Sequence, residues 1–149
     1  MQDNYFPLTS TLYLDKFVSL DSESLTVFNS FERLGASHRI PLSTIEWVST
    51  AKDLGLSRWN FKGWGIGISA VAWARDMNRS PILPTGKPDL EKTVVIKVRG
   101  DILKIGCTCE DPGSFFSRLE EVVSGIRKEI GHPPESEPST PSVSFAGSR

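Results

Sequence analysis

Apolar and polar residues alternate with period two through much of this chain, then switch near residue 112 to a three-and-four spacing. Thr93-Val94-Val95-Ile96-Lys97-Val98 is the clearest strand; Arg99-Gly100-Asp101 makes a tight turn, and Ile102 to Cys107 returns antiparallel. Upstream, Leu12, Leu14 and Phe17 lie in a β-forming stretch, a polar turn occupies Asp21 to Ser24, and Leu25 to Phe28 alternates. His38 to Leu42 reads as a short strand that Pro41 confines to an edge or an end. Ser43 to Val48 alternates again, with Ile45 and Trp47 expected on one face. Gly65 to Ser69 and Ala70 to Ala74 read as a strand pair or one bent strand, whose glycines permit sharp bending. Residues 50–62 read as a long loop with one helical turn, and Asp76 to Leu90, with three prolines, as a surface loop.

The helix follows from its start signal and its stripe. Asp111 suits the N-cap, and Pro112 the first helical position, where its missing N–H costs nothing. Phe115, Phe116, Leu119, Val122, Val123, Ile126 and Ile130 then form one apolar stripe, and Gly131 and Pro133 end it. The pattern predicts a mainly β (α+β) domain over residues 10–131, between a flexible lead (1–9) and a disordered Pro/Ser-rich tail (132–149). The amino terminus has no signal-peptide pattern, and the longest nearly uncharged run, Gly63 to Ala74, is too short to span a bilayer as a helix. A cytoplasmic protein without a transmembrane segment is the expectation.

At 149 residues and 38% hydrophobic composition, one domain can bury a real core. The net charge of −1 argues against nucleic acid as a partner, because phosphate affinity rests largely on Lys and Arg. Residues 31–80 nevertheless hold seven basic and four acidic side chains, a net of +3. Within them, Lys52, Arg58 and Lys62 interleave with Leu54, Leu56, Trp59, Phe61 and Trp64. Cations beside large aromatics suit an anionic membrane surface or a protein interface. The competing reading is that Trp59 and Phe61 cover the open end of a barrel. Lys52, Arg58, Trp59, Phe61, Lys62 and Trp64 are therefore the candidate contact residues.

Catalytic and cofactor patterns fail on spacing. Gly63-Trp64-Gly65-Ile66-Gly67 precedes β pattern, whereas a dinucleotide fingerprint needs a helix after it, and Pro84-Thr85-Gly86-Lys87 is followed by Pro88 instead of Ser or Thr. Ser37 and His38 are adjacent, so on a strand they point to opposite faces. Cys107, Cys109, His38 and His132 match no familiar zinc spacing, and the thiols read as small residues packed near a barrel rim. No cofactor, no metal and no enzyme is expected.

The segments GWGIGISAVAWARDMN, KTVVIKV, GDILKIGC and DPGSFFSRL, with Ile40 to Ile45 upstream, resemble the bacterial pleckstrin-homology domain family. The resemblance spans roughly residues 10–130 and implies a pleckstrin-homology-like antiparallel barrel of about seven strands capped by one C-terminal helix. It also makes self-association into a homo-oligomer an expectation, so the expected function is a non-catalytic assembly module acting through protein–protein contacts. The alternative is peripheral binding to anionic membrane lipid through the 52–64 loop. Phosphoinositide-binding pleckstrin domains carry basic clusters in the first hairpin; here Lys16 faces Asp15, Asp21 and Glu23 in sequence, which argues against that mode. The long 76–90 loop, the extra Cys107-Thr108-Cys109 segment and the polar tail depart from the family pattern.

Overall fold

The first strands turn on aspartates. The Asp15 carboxylate accepts the backbone N–H of Phe17 and Val18 at 2.7 and 2.9 Å, and that of Asp21 accepts Glu23 and Ser24 at 2.7 and 2.8 Å. These side-chain turns replace backbone ones and fold the chain back twice. In the computed structural model, which describes residues 10–123, four strands result: β1 (Thr11–Leu14), β2 (Val18–Asp21), β3 (Ser24–Val27) and β4 (His38–Pro41). They form an antiparallel meander in the order β1-β2-β3-β4. Residues 1–9, Ile126, Ile130, the Gly131 cap and the 132–149 tail lie outside the described residues.

A second sheet holds β5 (Ile45–Thr50), β6 (Gly65–Ile66), β7 (Val71–Trp73), β8 (Thr93–Val98) and β9 (Lys104–Thr108), ordered β5-β8-β9-β7-β6. The helix α1 (Pro112–Val123) follows β9. As expected, the protein is mainly β with one helix after the last described strand. Three details differ from expectation. There are nine described strands instead of about seven, because Asp15 splits the first stretch in two and residues 65–74 form a strand pair, β6 and β7. The strands lie in two sheets, with no closed ring of hydrogen bonds among the described residues. One pairing, β7 with β9, is parallel: the β6–β7 hairpin occurs before β8 in sequence but docks on the far side of β9.

Helix α1 starts as its sequence dictates. Asp111 caps it by accepting from the Ser114 backbone N–H at 3.2 Å and the Ser114 hydroxyl at 2.9 Å. Phe115, Leu119 and Val123 are buried with Val18, Leu20, Leu25, Val27, Ile40 and the inner face of the second sheet. Each such side chain contributes roughly 2 kcal/mol by leaving water. Tyr13 ties β1 to the start of α1: its hydroxyl accepts the Asp111 N–H at 3.0 Å and donates to Asp15 at 2.5 Å, and its ring packs edge-on against Phe115.

The second sheet is buried on both faces. Val48, Val94, Ile96, Ile105 and Cys107 face the shared core, while Trp47, Val71, Trp73 and Val95 face outward under a loop. A register shift between Ile45 and Trp47 corrects the expectation that these two share a face. The extra residue in β5 leaves Ile45 in the inner core and sends Trp47 to the outer one. Gly106 in β9 is required by close packing, since a Cβ there would collide with the Trp73 ring and Val71.

Candidate functional site

The candidate contact residues lie in the chain that crosses the outer face of the second sheet between β5 and β6. Ser57 accepts the Trp59 N–H at 3.1 Å, and the Asn60 side chain accepts the Ser57 N–H at 2.8 Å. This reciprocal cap makes one 3-10 turn, Arg58–Asn60, the single helical turn that sequence suggested. The turn gives two aromatics, two positions apart, opposite fates. Phe61 is buried with its ring centroid 5.4 Å from that of Trp73, whereas Trp59 is 64% exposed with the Arg58 guanidinium 5.5 Å from its ring. The expectation that both form a contact surface fails for Phe61, which Trp73, Val71 and Trp47 draw inward.

The other candidates divide too. Trp64 is half-buried, edge-on to Phe31, with the Arg75 guanidinium 5.9 Å from its ring. Lys52 is exposed but bound to Glu91 at 2.8 Å, which holds its pKa above the usual lysine range. Lys62 is exposed, and its carbonyl oxygen accepts from Arg79. Lys52 and Arg58 share a shallow cleft of about 440 Å³ with Asp89 and Glu91. The basic cluster is thus interleaved with carboxylates, and its field is mixed.

Sequence reasoning missed two exposed apolar residues on the segment that abuts the Trp59 turn. Ile66 and Ile68 are 47% and 85% exposed, at and just beyond β6, the edge of the sheet. The Asn60 carbonyl oxygen lies 3.1 Å from where a Gly67 side chain would begin, so the turn carrying Trp59 abuts the segment carrying both isoleucines. The available signal was a strand with isoleucines on both sides of a glycine; its edge position required the topology.

Sequence reasoning also missed Arg79. The expected surface loop, 76–90, folds Arg79 and Ser80 inside. The Arg79 side chain donates to the Lys62 carbonyl at 2.9 Å, to the Thr108 hydroxyl at 2.7 Å and to the Ala74 carbonyl, and its guanidinium stacks 5.0 Å from the Trp73 ring centroid. Thr108 in turn donates to Asp76 at 2.6 Å. Burial lowers the Arg79 pKa to about 10, which leaves it charged at neutral pH. Three of its five N–H groups are committed to the fold, so it acts as a structural clasp.

The reactive residue types do not converge. His38 on β4 sits 3.6 Å from Glu32, and burial, then Arg33, hold its pKa below the usual imidazole value. Burial pushes the Cys109 thiol up to about 11 and Cys107 higher still, and Cys109 lies 3.5 Å from the Tyr13 hydroxyl. His132 lies outside the described residues. Among the described residues, no cluster of three His, Cys, Asp or Glu could hold a metal ion, and no helix is long and apolar enough to cross a membrane. No family model, no curated protein and no solved structure matches the chain.

Proposed function

We propose that this chain is a non-catalytic, pleckstrin-homology-like assembly module of the cytoplasm that binds a second copy of itself through the edge formed by Trp59, Ile66 and Ile68. The carrying observation is the exposure of three large apolar side chains on two abutting segments at an open sheet edge. An uncovered strand edge offers backbone groups for pairing, and a central Trp with aliphatic neighbours is the composition of an interface hot spot. The motif resemblance to the bacterial pleckstrin-homology family supports both the barrel-like reading of the fold and self-association. The thiols of Cys107 and Cys109, held neutral by burial, support the non-catalytic reading.

The membrane alternative draws support from the Arg58–Trp59 pair, but Asp89 and Glu91 beside Lys52 and Arg58 weigh against attraction to anionic lipid. Sedimentation equilibrium across a hundredfold concentration range, with the Trp59→Ala, Ile68→Ser double variant beside the wild type, tests the proposal. The wild type is expected to associate and the double variant to remain monomeric. A wild type that stays monomeric overturns the self-association reading. Flotation with anionic but not neutral vesicles, lost in the same variant, would transfer the surface to the membrane reading.

A further inference from the structure

A second feature of the outer sheet face is independent of that edge. The β8–β9 register ends with Ile96 paired to Ile105, and the next residues along, Lys97 and Lys104, lie close enough for their charges to repel. Neighbouring like charges destabilise a sheet, so the pair calls for a compensating anion. Lys97 has its own: its ammonium donates to the Asp101 and Val98 carbonyls at 2.8 and 3.1 Å and lies 3.5 Å from Glu46. Lys104 is only partly exposed, and among the described residues no carboxylate lies within ion-pairing distance of its ammonium. Burial first, then Lys97, depresses its pKa.

Beside these ammonium groups is an apolar cleft of about 290 Å³. Val71 and Val95 line it from the sheet, Trp47 from β5, and Leu54 and Leu56 from the loop that crosses above. The volume lies at the small end of the range for small-molecule sites, about 300–1,000 Å³, and a mostly apolar lining with few polar groups is their usual character. A purely apolar ligand would leave Lys104 unpaired, and a purely ionic one would leave Leu54 and Leu56 wet.

We propose that this cleft binds a small amphiphilic carboxylate, its apolar body lying against Leu54, Leu56 and the exposed rim of Trp47 and its carboxylate paired with the Lys104 ammonium. The alkyl chain displaces water from Leu54 and Leu56 while the carboxylate supplies the anion that Lys104 lacks. The site needs neither a second copy of the chain nor the Trp59 edge.

Isothermal titration of the full chain with octanoate, octan-1-ol and acetate tests this. Octanoate is expected to bind at least tenfold more tightly than either of the others, since one lacks the charge and the other the chain. Lys104→Met keeps the aliphatic stem and is expected to reduce octanoate to the level of octan-1-ol. Leu56→Ser is expected to weaken octanoate at least tenfold with Lys104 in place, a result that stands even if Lys104→Met fails to fold. Equal affinity of the wild type for octanoate and octan-1-ol overturns the proposal. So does octanoate binding that survives Lys104→Met in a folded variant.

Discussion

Two loops cover the outer face of the second sheet, and they attach to it by opposite means. The 51–64 loop inserts apolar groups, with Phe61 and Ala51 buried and Leu54 and Leu56 packed beside them, while its charged residues stay in water. The 76–90 loop inserts a cation: Arg79 passes under the chain to reach two carbonyl oxygens, a hydroxyl and the face of Trp73. Both loops end on the same indole. The difference teaches that the partners on offer, more than residue type, decide what is buried. Thr108 and the Lys62 and Ala74 carbonyls form a polar socket that no aliphatic side chain could satisfy.

That contrast can be broken most severely at its polar end. Arg79→Ala strips three acceptors of their donor and leaves the Asp76 carboxylate without its buried cation, so a loss of about 3–5 kcal/mol is expected by urea denaturation. Phe61→Ala removes the apolar anchor of the other loop and is expected to cost about 3 kcal/mol in the same measurement. If Phe61→Ala proved nearly neutral, the 51–64 loop would not be anchored as described.

Thiol labelling sharpens the comparison further. Cys107 is fully buried and its thiol is held neutral, so native labelling at pH 8 is expected to wait for opening of the fold. Arg79→Ala should speed labelling by about a hundredfold to several thousandfold, as expected if about 3–5 kcal/mol of opening free energy are lost. Wild-type labelling as fast as in denaturant would contradict the burial of both thiols. The smallest effect is expected at Trp59→Ala. With most of its surface in water, that side chain should change stability by less than about 0.5 kcal/mol while weakening self-association.

Much of this architecture was legible in local pattern. The β8 and β9 strands, the turn between them and the start of α1 are each written within a few residues: Val and Ile in alternation, Arg99-Gly100-Asp101, and Asp111-Pro112 before the stripe. Local signals were insufficient where one residue changes the outcome or where distant segments decide it. The single extra residue in β5 separates Ile45 from Trp47, and nothing in their alternation announces it. The parallel β7–β9 pairing depends on where a hairpin docks, and Arg79 is buried by groups at positions 62, 74 and 108. Of the candidate site, the basic and aromatic composition of 52–64 located the segment. It could not tell Phe61 from Trp59, because the 3-10 turn that carries Trp59 and ends at Phe61 sets which one faces the sheet, and it omitted Ile66 and Ile68.

A dilution series followed residue by residue through backbone amide NMR shifts tests the central claim most directly, since it reads the location of self-contact along with its existence. The account predicts that concentration-dependent shifts concentrate at residues 58–60 and 65–69 and vanish in the Trp59→Ala, Ile68→Ser variant. Shifts centred instead on β1, β4 or α1, or a spectrum unchanged by concentration, would contradict it.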